Sequence, residues 1–414
     1  MYLALSNGTT TITLNNDTFP VSAGLHGARY FPSDGGEAET VTETIEEVFN
    51  GSVTDVRATF AAITRLLTQA TERSAGNLRI PALYLLHNPV GAALGAYRSE
   101  ITGGQVVWNS NRLLRQMHST YTSGENAIII TRVNYFEDIN EATAATNFAI
   151  VNGDNLPLNY VAMNSISGDL ATPLRIAIKN DSGADVLAED FYLTMDTFVG
   201  LGTSEHFLAG DSATWVGSLA DGTMIVESAI PDAVLTKCAG EEMSIIAAFS
   251  ALSSNVYLRP VIYTVRDGLY LESIRGKEVY SGGRKLINLG SLPIPASGYS
   301  TGTSGTVLGI VGRCSTGGEA TMMFQQITPA RDMINLYYND YDMVHGAQIV
   351  DDGSFAYYEE SGAKFDTVFR TGGPLKVWPN KNNRLTILMD EGAAFTESRQ
   401  FRITAYYRPR RRTV

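Results

Sequence analysis

Cysteine is nearly missing from this chain. Its 414 residues hold only Cys238 and Cys314, with no CxxC pair. That excludes a disulfide framework and a clustered thiolate metal site, and the two read as buried free thiols. Long apolar runs are also missing: none approaches the roughly 18 residues that a membrane-spanning helix needs. The opening stretch MYLALSNGTTTITL has neither the basic start nor the long apolar core of a secretory leader, so a strand is expected there, in a protein made without a cleaved signal. Charge is scarce at 18%, and acid outweighs base to a net −12. Such a balance argues against general affinity for nucleic acid or an anionic membrane, both of which select a basic face. No GxxxxGK loop and no GxGxxG after a strand is present, so nucleotide binding has no motif to rest on.

What the chain does have is glycine (39 residues), tyrosine (20 residues) and many Thr, Ser and Asn. This composition suits a turn-rich β protein. One stretch stands apart. From Ser52 to Arg73, Val56, Phe60, Ile63, Leu66, Leu67 and Ala70 recur at spacings of three, four and seven, which predicts an amphipathic helix. Ser52 is its expected N-cap, and Asp55 suits the positive end of the helix dipole. A lone helix cannot bury its stripe by itself, so it is expected to lie on a sheet.

Elsewhere short strands alternate with turns. Thr40–Phe49 leads into the helix; Tyr97–Trp108 reads as a hairpin turning at Thr102-Gly103-Gly104-Gln105. Residues from Asp138 to Asn155 read as polar and turn-like. From about Ser165 nearly ten short strands follow with no helix between them, which indicates an antiparallel sandwich of the jelly-roll kind. The chain regains a mixed texture from Tyr341. The expected fold is therefore mainly β: a helix-braced β-sandwich assembled from 1–164 and 341–414, with a jelly-roll-like or galectin-like sandwich inserted at 165–340.

Chemistry is harder to find. Gly298-Tyr299-Ser300-Thr301-Gly302 matches GxSxG, but a nucleophile elbow needs a strand before the serine and a helix after it, and here prolines precede and a Gly/Ser/Thr loop follows. The five histidines (His26, His87, His118, His206 and His345) show no helical metal spacing, and Asp351-Asp352-Gly353 is too short for a calcium loop. Neighbouring acids such as Glu46-Glu47, Glu241-Glu242 and Glu359-Glu360 point to opposite faces of a strand and read as solvated rim charges. No catalytic residue, cofactor or metal ligand is assigned. Trp215, Tyr257, Tyr263 and Tyr270 lie on sandwich strands, where they serve either as sugar-stacking platforms or as core packing, with Trp215, Tyr257 and Tyr263 the candidates for glycan contact. The end, Tyr406-Tyr407-Arg408-Pro409-Arg410-Arg411-Arg412, is the one basic cluster. Its forks suit carboxylates, and Arg408, Arg410, Arg411 and Arg412 are candidates for gripping an acidic face of a neighbouring subunit. A solvated, frayed tail is the plain alternative.

The strand set leading through Thr40–Phe49 into the helix, YRSEITGG at 97–104, TPLRIAIKN at 172–180, LINLGSLPIP at 286–295 and KVWPNKNNRLTIL at 376–388 before the basic end together resemble the ring-forming tail proteins of long-tailed bacteriophages, distal tail proteins above all. That resemblance implies a non-catalytic virion component that forms a cyclic homo-oligomer, contacts other tail proteins, lets DNA pass as cargo and projects a galectin-like part that can meet host-surface glycans. The sandwich here reads as inserted rather than appended, which leaves the distal ring, the tail tube and another virion position open.

Overall fold

In the computed structural model, described residues are 1–16, 21–90, 96–108, 121–150, 159–187, 190–198, 207–209, 214–231, 234–235, 240–295, 305–338, 342–389 and 399–414. The described chain is mainly antiparallel β, with one α-helix and one short 3-10 turn at Ala330–Asp332. It divides into two units: residues 1–142, 167–170 and 408–414 form the first, and 143–166 with 171–407 the second.

The first unit contains β1 (Tyr2–Ser6), β2 (Thr11–Asn15), β3 (Leu25–Arg29), β4 (Thr40–Ser52), α1 (Val53–Ser74), β5 (Leu83–Asn88), β6 (Tyr97–Trp108), β7 (Tyr121–Val133) and β8 (Phe136–Asp138). Its main sheet runs β2-β1-β5-β6-β7-β4-β3. The two end strands meet, Asn15 Nδ2 donating to Ala28 O at 2.6 Å, so the sheet curls on itself. Inside lie Leu3, Leu5, Leu14, Ile45, Phe49, Leu85 and Ile130 with the apolar stripe of α1: Val56, Ile63, Leu66, Leu67 and Ala70. Ser52 caps α1 by accepting the Asp55 N–H at 3.1 Å, as its sequence position predicts.

The expected hairpin at 102–105 is instead the middle of one strand, β6. The reason is α1. A Cβ at Gly104 would stand 2.4 Å from Ile129 O and 3.1 Å from Leu67, and one at Gly103 would stand 3.1 Å from Thr71 Oγ1. The glycines are there to let the helix lie close on the strand, not to turn the chain.

In the second unit the chain runs through β9 (Ala142–Ile150), β10 (Asn159–Met163), β11 (Thr172–Pro173), β12 (Arg175–Asn180), β13 (Val186–Leu187) and β14 (Asp190–Phe198). An excursion follows: β15 (Phe207–Ala209), β16 (Thr214–Ala229), β17 (Glu242–Leu252), β18 (Tyr257–Arg266), β19 (Leu269–Arg275), β20 (Val279–Tyr280), β21 (Leu286–Pro293) and β22 (Gly305–Pro329). The chain then returns with β23 (Met333–Tyr337), β24 (Asp342–Met343), β25 (Gln348–Asp351), β26 (Ala356–Glu360), β27 (Ala363–Phe365), β28 (Phe369–Gly372), β29 (Lys376–Val377), β30 (Asn382–Met389) and β31 (Arg399–Tyr407). The last strand, β32 (Arg410–Arg411), goes back to the first unit.

Two sheets of this unit, β27-β26-β25-β12-β31-β9 and β10-β30-β14-β23-β28, face each other as a β-sandwich. Ile176, Ile178, Ile349, Phe401 and Ile403 from one sheet meet Phe191, Leu193, Leu336, Leu385 and Ile387 from the other in one core. Phe191 and Phe401 touch edge to face across it, ring centres 5.4 Å apart. Residues 207–329 build an eight-stranded sheet with its own core, in which the 25-residue β22 is the spine: β18 pairs with its first half and β17 with its second. That sheet packs on the outer face of the β10–β28 sheet, where Ile246, Ala248 and Leu286 meet Tyr192, Met333 and Leu388, and Gln326 Nε2 donates to Thr194 Oγ1 at 2.6 Å.

This corrects the expected division. Residues 342–407 do not rejoin the first domain. Leu193 pairs with Ile387 and Ile178 with Ile403, so β30 and β31 belong in the sandwich core. The return comes at Arg408. The expected polar turn after Asp138 is in part the strand β9, and the two strands expected at 306–313 and 320–329 are one.

Candidate functional site

The carboxy-terminal arginines are engaged inside the chain. Pro409 interrupts the run from β31, and β32 pairs antiparallel with β8, setting Arg410 opposite Glu137 and Arg411 opposite Phe136. Arg410 donates to Glu137 Oε1 from Nε at 3.1 Å and Nη2 at 2.9 Å, while Arg98 holds Oε2 at 3.2 Å. Arg411 Nη2 reaches Asp138 Oδ1 at 3.1 Å. Arg412 donates its backbone N–H to Asp169 Oδ1 at 2.9 Å, and its Nη1 to Gly36 O at 3.0 Å. Arg408 donates to the Asp138 and Ile139 carbonyls. The guanidinium groups of Arg410 and Arg411 also stack on Tyr135 and Tyr97 at 4.0 and 4.7 Å. Gly168, at φ +112, lets Arg410 O approach to where a Cβ would stand 2.4 Å away. All four arginines named from the sequence come together, and the acidic face they grip is their own unit's. The tail is not frayed.

Behind this clasp lies a buried polar cluster that the sequence reading missed. Arg132 is 0% exposed and pairs with Glu43 through two 2.7 Å hydrogen bonds. Glu43 also accepts from Tyr30 Oη at 2.5 Å and Ser33 N at 2.6 Å. Burial raises the Glu43 carboxyl, but the Arg132 and Tyr30 hydrogen bonds outweigh it and hold the group below its ordinary value. His87 packs its ring against Tyr30 at 5.4 Å, and burial pushes it down to about 4. Glu46 and Glu47 do point to opposite faces of β4, but only Glu46 is a rim charge. Glu47 is buried with neither oxygen hydrogen-bonded, and burial pushes its carboxyl up to about 9. The signal for the pair was a regular one: Glu43, Ile45, Glu47 and Phe49 share one face of β4, an apolar face interrupted by two acids.

The candidate glycan residues are divided. Trp215 lies in β16 opposite Ala320, with its side chain outside the described set. Tyr257 is covered by Arg313 at 4.0 Å and by Tyr280 at 4.9 Å. Arg313 is itself held by Glu278 through two 2.7 Å hydrogen bonds. Tyr263 packs edge-on against Tyr270, whose hydroxyl donates to Glu227 at 2.5 Å. The rings left open are the neighbours, Tyr280 and Tyr270, both just over half exposed.

The sandwich edges carry a second missed feature. The strands β27 and β28 end the two sheets on one side. Around them Phe355, Phe365 and Phe369 are 58%, 45% and 63% exposed. On the other side β9 and β10 end the sheets; there Tyr160 is 48% exposed beneath Arg384, and Trp378 is 44% exposed beside Lys381. Trp378 is fixed to this corner by its backbone N–H, which donates to Asn383 Oδ1 at 2.7 Å, while Asn383 Nδ2 donates to Met163 O at the end of β10.

Ser300, His118, His206 and Cys238 lie outside the described residues; Cys314 is a buried free thiol. Among the described residues no group of three or more His, Cys, Asp or Glu is placed to hold a metal, and no helix is long and apolar enough to cross a membrane. Asp352 Oδ1 accepts from the Ser354 and Phe355 N–H groups, so Asp351-Asp352-Gly353 is a turn between β25 and β26.

No family model matches this sequence, and no curated relative does. Among solved structures the chain is similar to the infectious bursal disease virus VP2 subviral particle, at 10% identity over 65% of this chain and 80% of that one, with a TM-score of 0.19. It is similar also to the Gt strain of that virus, at 8% identity over 65% and 80%, again with a TM-score of 0.19. Overlap this loose establishes neither a shared fold nor a shared role.

Proposed function

We propose that this chain is a non-catalytic structural subunit of a virion, forming a ring or tube in a phage tail by association with copies of itself and with other tail proteins. The observation that carries the reading is the set of large rings exposed around the end strands β27 and β28, Phe355, Phe365 and Phe369. Free sheet edges and exposed aromatic clusters are features that stable soluble proteins blunt unless a partner covers them. Head-to-tail contact between different patches is what generates rings and tubes. DNA is cargo in this reading rather than ligand, in keeping with the acidic balance of the chain. The test is location. Mass spectrometry of purified particles should find the chain in many copies, and gold-labelled antibody should mark the tail. A chain found only in the infected cell and in no particle would remove the reading.

A second reading, carbohydrate binding, is favoured by the open ring of Tyr280 against Tyr257, beside the Arg313–Glu278 pair, since a stacking ring next to charged hydrogen-bonding groups suits a sugar. Binding on a glycan array that disappears in Tyr280→Ala would support it; silence across bacterial surface glycans would not.

A further inference from the structure

One face of β18 carries two ring pairs. Along the outer side of that strand come Tyr257, Arg259, Val261, Tyr263 and Val265, while Leu258 and Ile262 point into the core. At one end Tyr280, opposite Tyr257 on β20, sets its ring 4.9 Å from that of Tyr257 and is more than half exposed. Arg313, opposite Tyr257 on β22, lies over the same ring at 4.0 Å and is held there by Glu278. At the other end Tyr270, on β19, packs edge-on against Tyr263 at 5.0 Å, is more than half exposed, and donates its hydroxyl to Glu227. Tyr263 reaches over Gly309 of β22, where a Cβ would stand 3.0 Å from its ring. Tyr257 and Tyr263 stand six positions apart on β18. The ring pairs are therefore about 20 Å apart along one strand.

What lies between the pairs is basic. The facing positions there are Arg259 and Val261 on β18, Arg275 on β19, and Gly309 and Val311 on β22. Val261 and Val311 are buried, Arg259 is partly open and Arg275 is exposed, so these positions present two guanidinium groups and no carboxylate. Arg259 Nη2 stands 3.8 Å from Glu278 Oε1, but Glu278 is already engaged by two nitrogens of Arg313. The acids stand at the ends: Glu278 and Asp221 by Arg313, Glu227 by Tyr270. In a chain of net charge −12, two cations placed between open rings select an anionic ligand.

We infer that this face binds a linear polysaccharide carrying acid groups, which lies along β18 with sugars stacked on Tyr280 and Tyr270 and an acid group between them on Arg259 and Arg275. Guanidinium forks suit such groups, and open rings suit the apolar faces of sugars. The carboxylate beside each ring pair accepts sugar hydroxyls and repels a nucleic-acid backbone, which separates the two kinds of anionic polymer. The inference rests on the carbohydrate reading above and deepens it by naming the ligand's charge and its length.

The test uses the whole chain and an immobilised panel. Hyaluronate, alginate and acidic capsular polysaccharides are set against amylose and dextran as neutral chains and a thymidine oligonucleotide as the other anion. An acidic polysaccharide should be retained, and the neutral chains and the oligonucleotide should not. In calorimetry the retained polymer should lose about tenfold in affinity with Arg259→Gln and Arg275→Gln together, and about tenfold with Tyr280→Ala or Tyr270→Ala alone. Circular dichroism establishes that each variant is folded. With size-graded fragments of the same polymer, affinity should rise steeply once a fragment spans about 20 Å, and Tyr270→Ala should remove that rise. If neutral chains bind as well, if the shortest fragments bind as tightly as the polymer, or if the arginine pair is without effect, the extended acidic site is overturned while sugar binding stands. Preference for the oligonucleotide overturns the inference in favour of nucleic acid. If no polysaccharide is retained, the inference and the carbohydrate reading fall together.

Discussion

The two units differ in what they leave exposed. In the first, several arginines are paired within the unit: Arg132 with Glu43, Arg98 and Arg410 with Glu137, Arg411 with Asp138. The last seven residues come back to complete it. The second buries polar groups as well, Asp351, Gln325, Gln326 and Asn383 among them, and leaves large rings exposed, Phe355, Phe365 and Phe369 on one side of the sandwich and Trp378 on another. On the proposed reading, the exposed rings of the second unit, Phe365 and Phe369 among them, are what it offers to a partner.

The largest test of the contrast is to break each unit where it is strongest. Arg132→Ala leaves Glu43 charged, buried and half-satisfied, which costs about 3–5 kcal/mol. Phe191→Ala removes a fully buried ring from the sandwich core and costs about 3–5 kcal/mol by leaving a cavity. Calorimetry should show each change lowering the transition of its own unit. A loss shared equally by both would contradict their separate stability.

Acidity sharpens the comparison next. Ionised near 4.5 when unfolded, Glu47 keeps its proton up to about 9 in the folded unit. Its contribution is complete below pH 4.5 and is lost as pH rises toward 9. His87 works the other way: it binds a proton near 6.5 when unfolded and only near 4 when folded, so its contribution is present above pH 6.5 and lost on acidification. The two slopes offset each other between about 4.5 and 6.5, and above that Glu47 acts alone, at about 1.4 kcal/mol per pH unit. Denaturation of the first unit from pH 6.5 to 9 should therefore show falling stability, and Glu47→Gln should flatten the slope.

A smaller effect is expected from deleting Arg408–Val414. Partly exposed ion pairs contribute about 0.2–1 kcal/mol each, so the first unit should lose roughly 1–3 kcal/mol, less in high salt. The sequence alone assigned this tail to a subunit contact. The clasp now ties its loss first to a lower melting temperature of the first unit, and assembly through the sandwich edges should survive the deletion. The smallest effect on stability, within about 0.5 kcal/mol, belongs to Phe369→Asp, since an exposed side chain away from the core contributes little to folding. Assembly, not melting, is what it should change.

How much of this was legible beforehand depended on whether the determinant was local. The helix was, because its stripe and its Ser52 cap lie within 23 consecutive residues. Strand existence was mostly legible from alternation. Strand ownership was not: nothing near Ile387 or Ile403 says that they pair with Leu193 and Ile178, about two hundred residues away. Gly103-Gly104 carried turn chemistry by composition, and only the approach of Leu67 and Thr71 reveals their use. The arginine cluster was visible, but its partners Glu137 and Asp138 were hidden in a stretch read as a strand end and turn. The edge aromatics looked like any other tyrosines and phenylalanines until the sheet order made their strands the last ones.

Sedimentation of the purified wild-type chain across a concentration series tests the central claim most directly. The account predicts oligomers that grow with concentration and that images resolve as rings or tubes. A single 44.8 kDa species from the lowest to the highest concentration would contradict it.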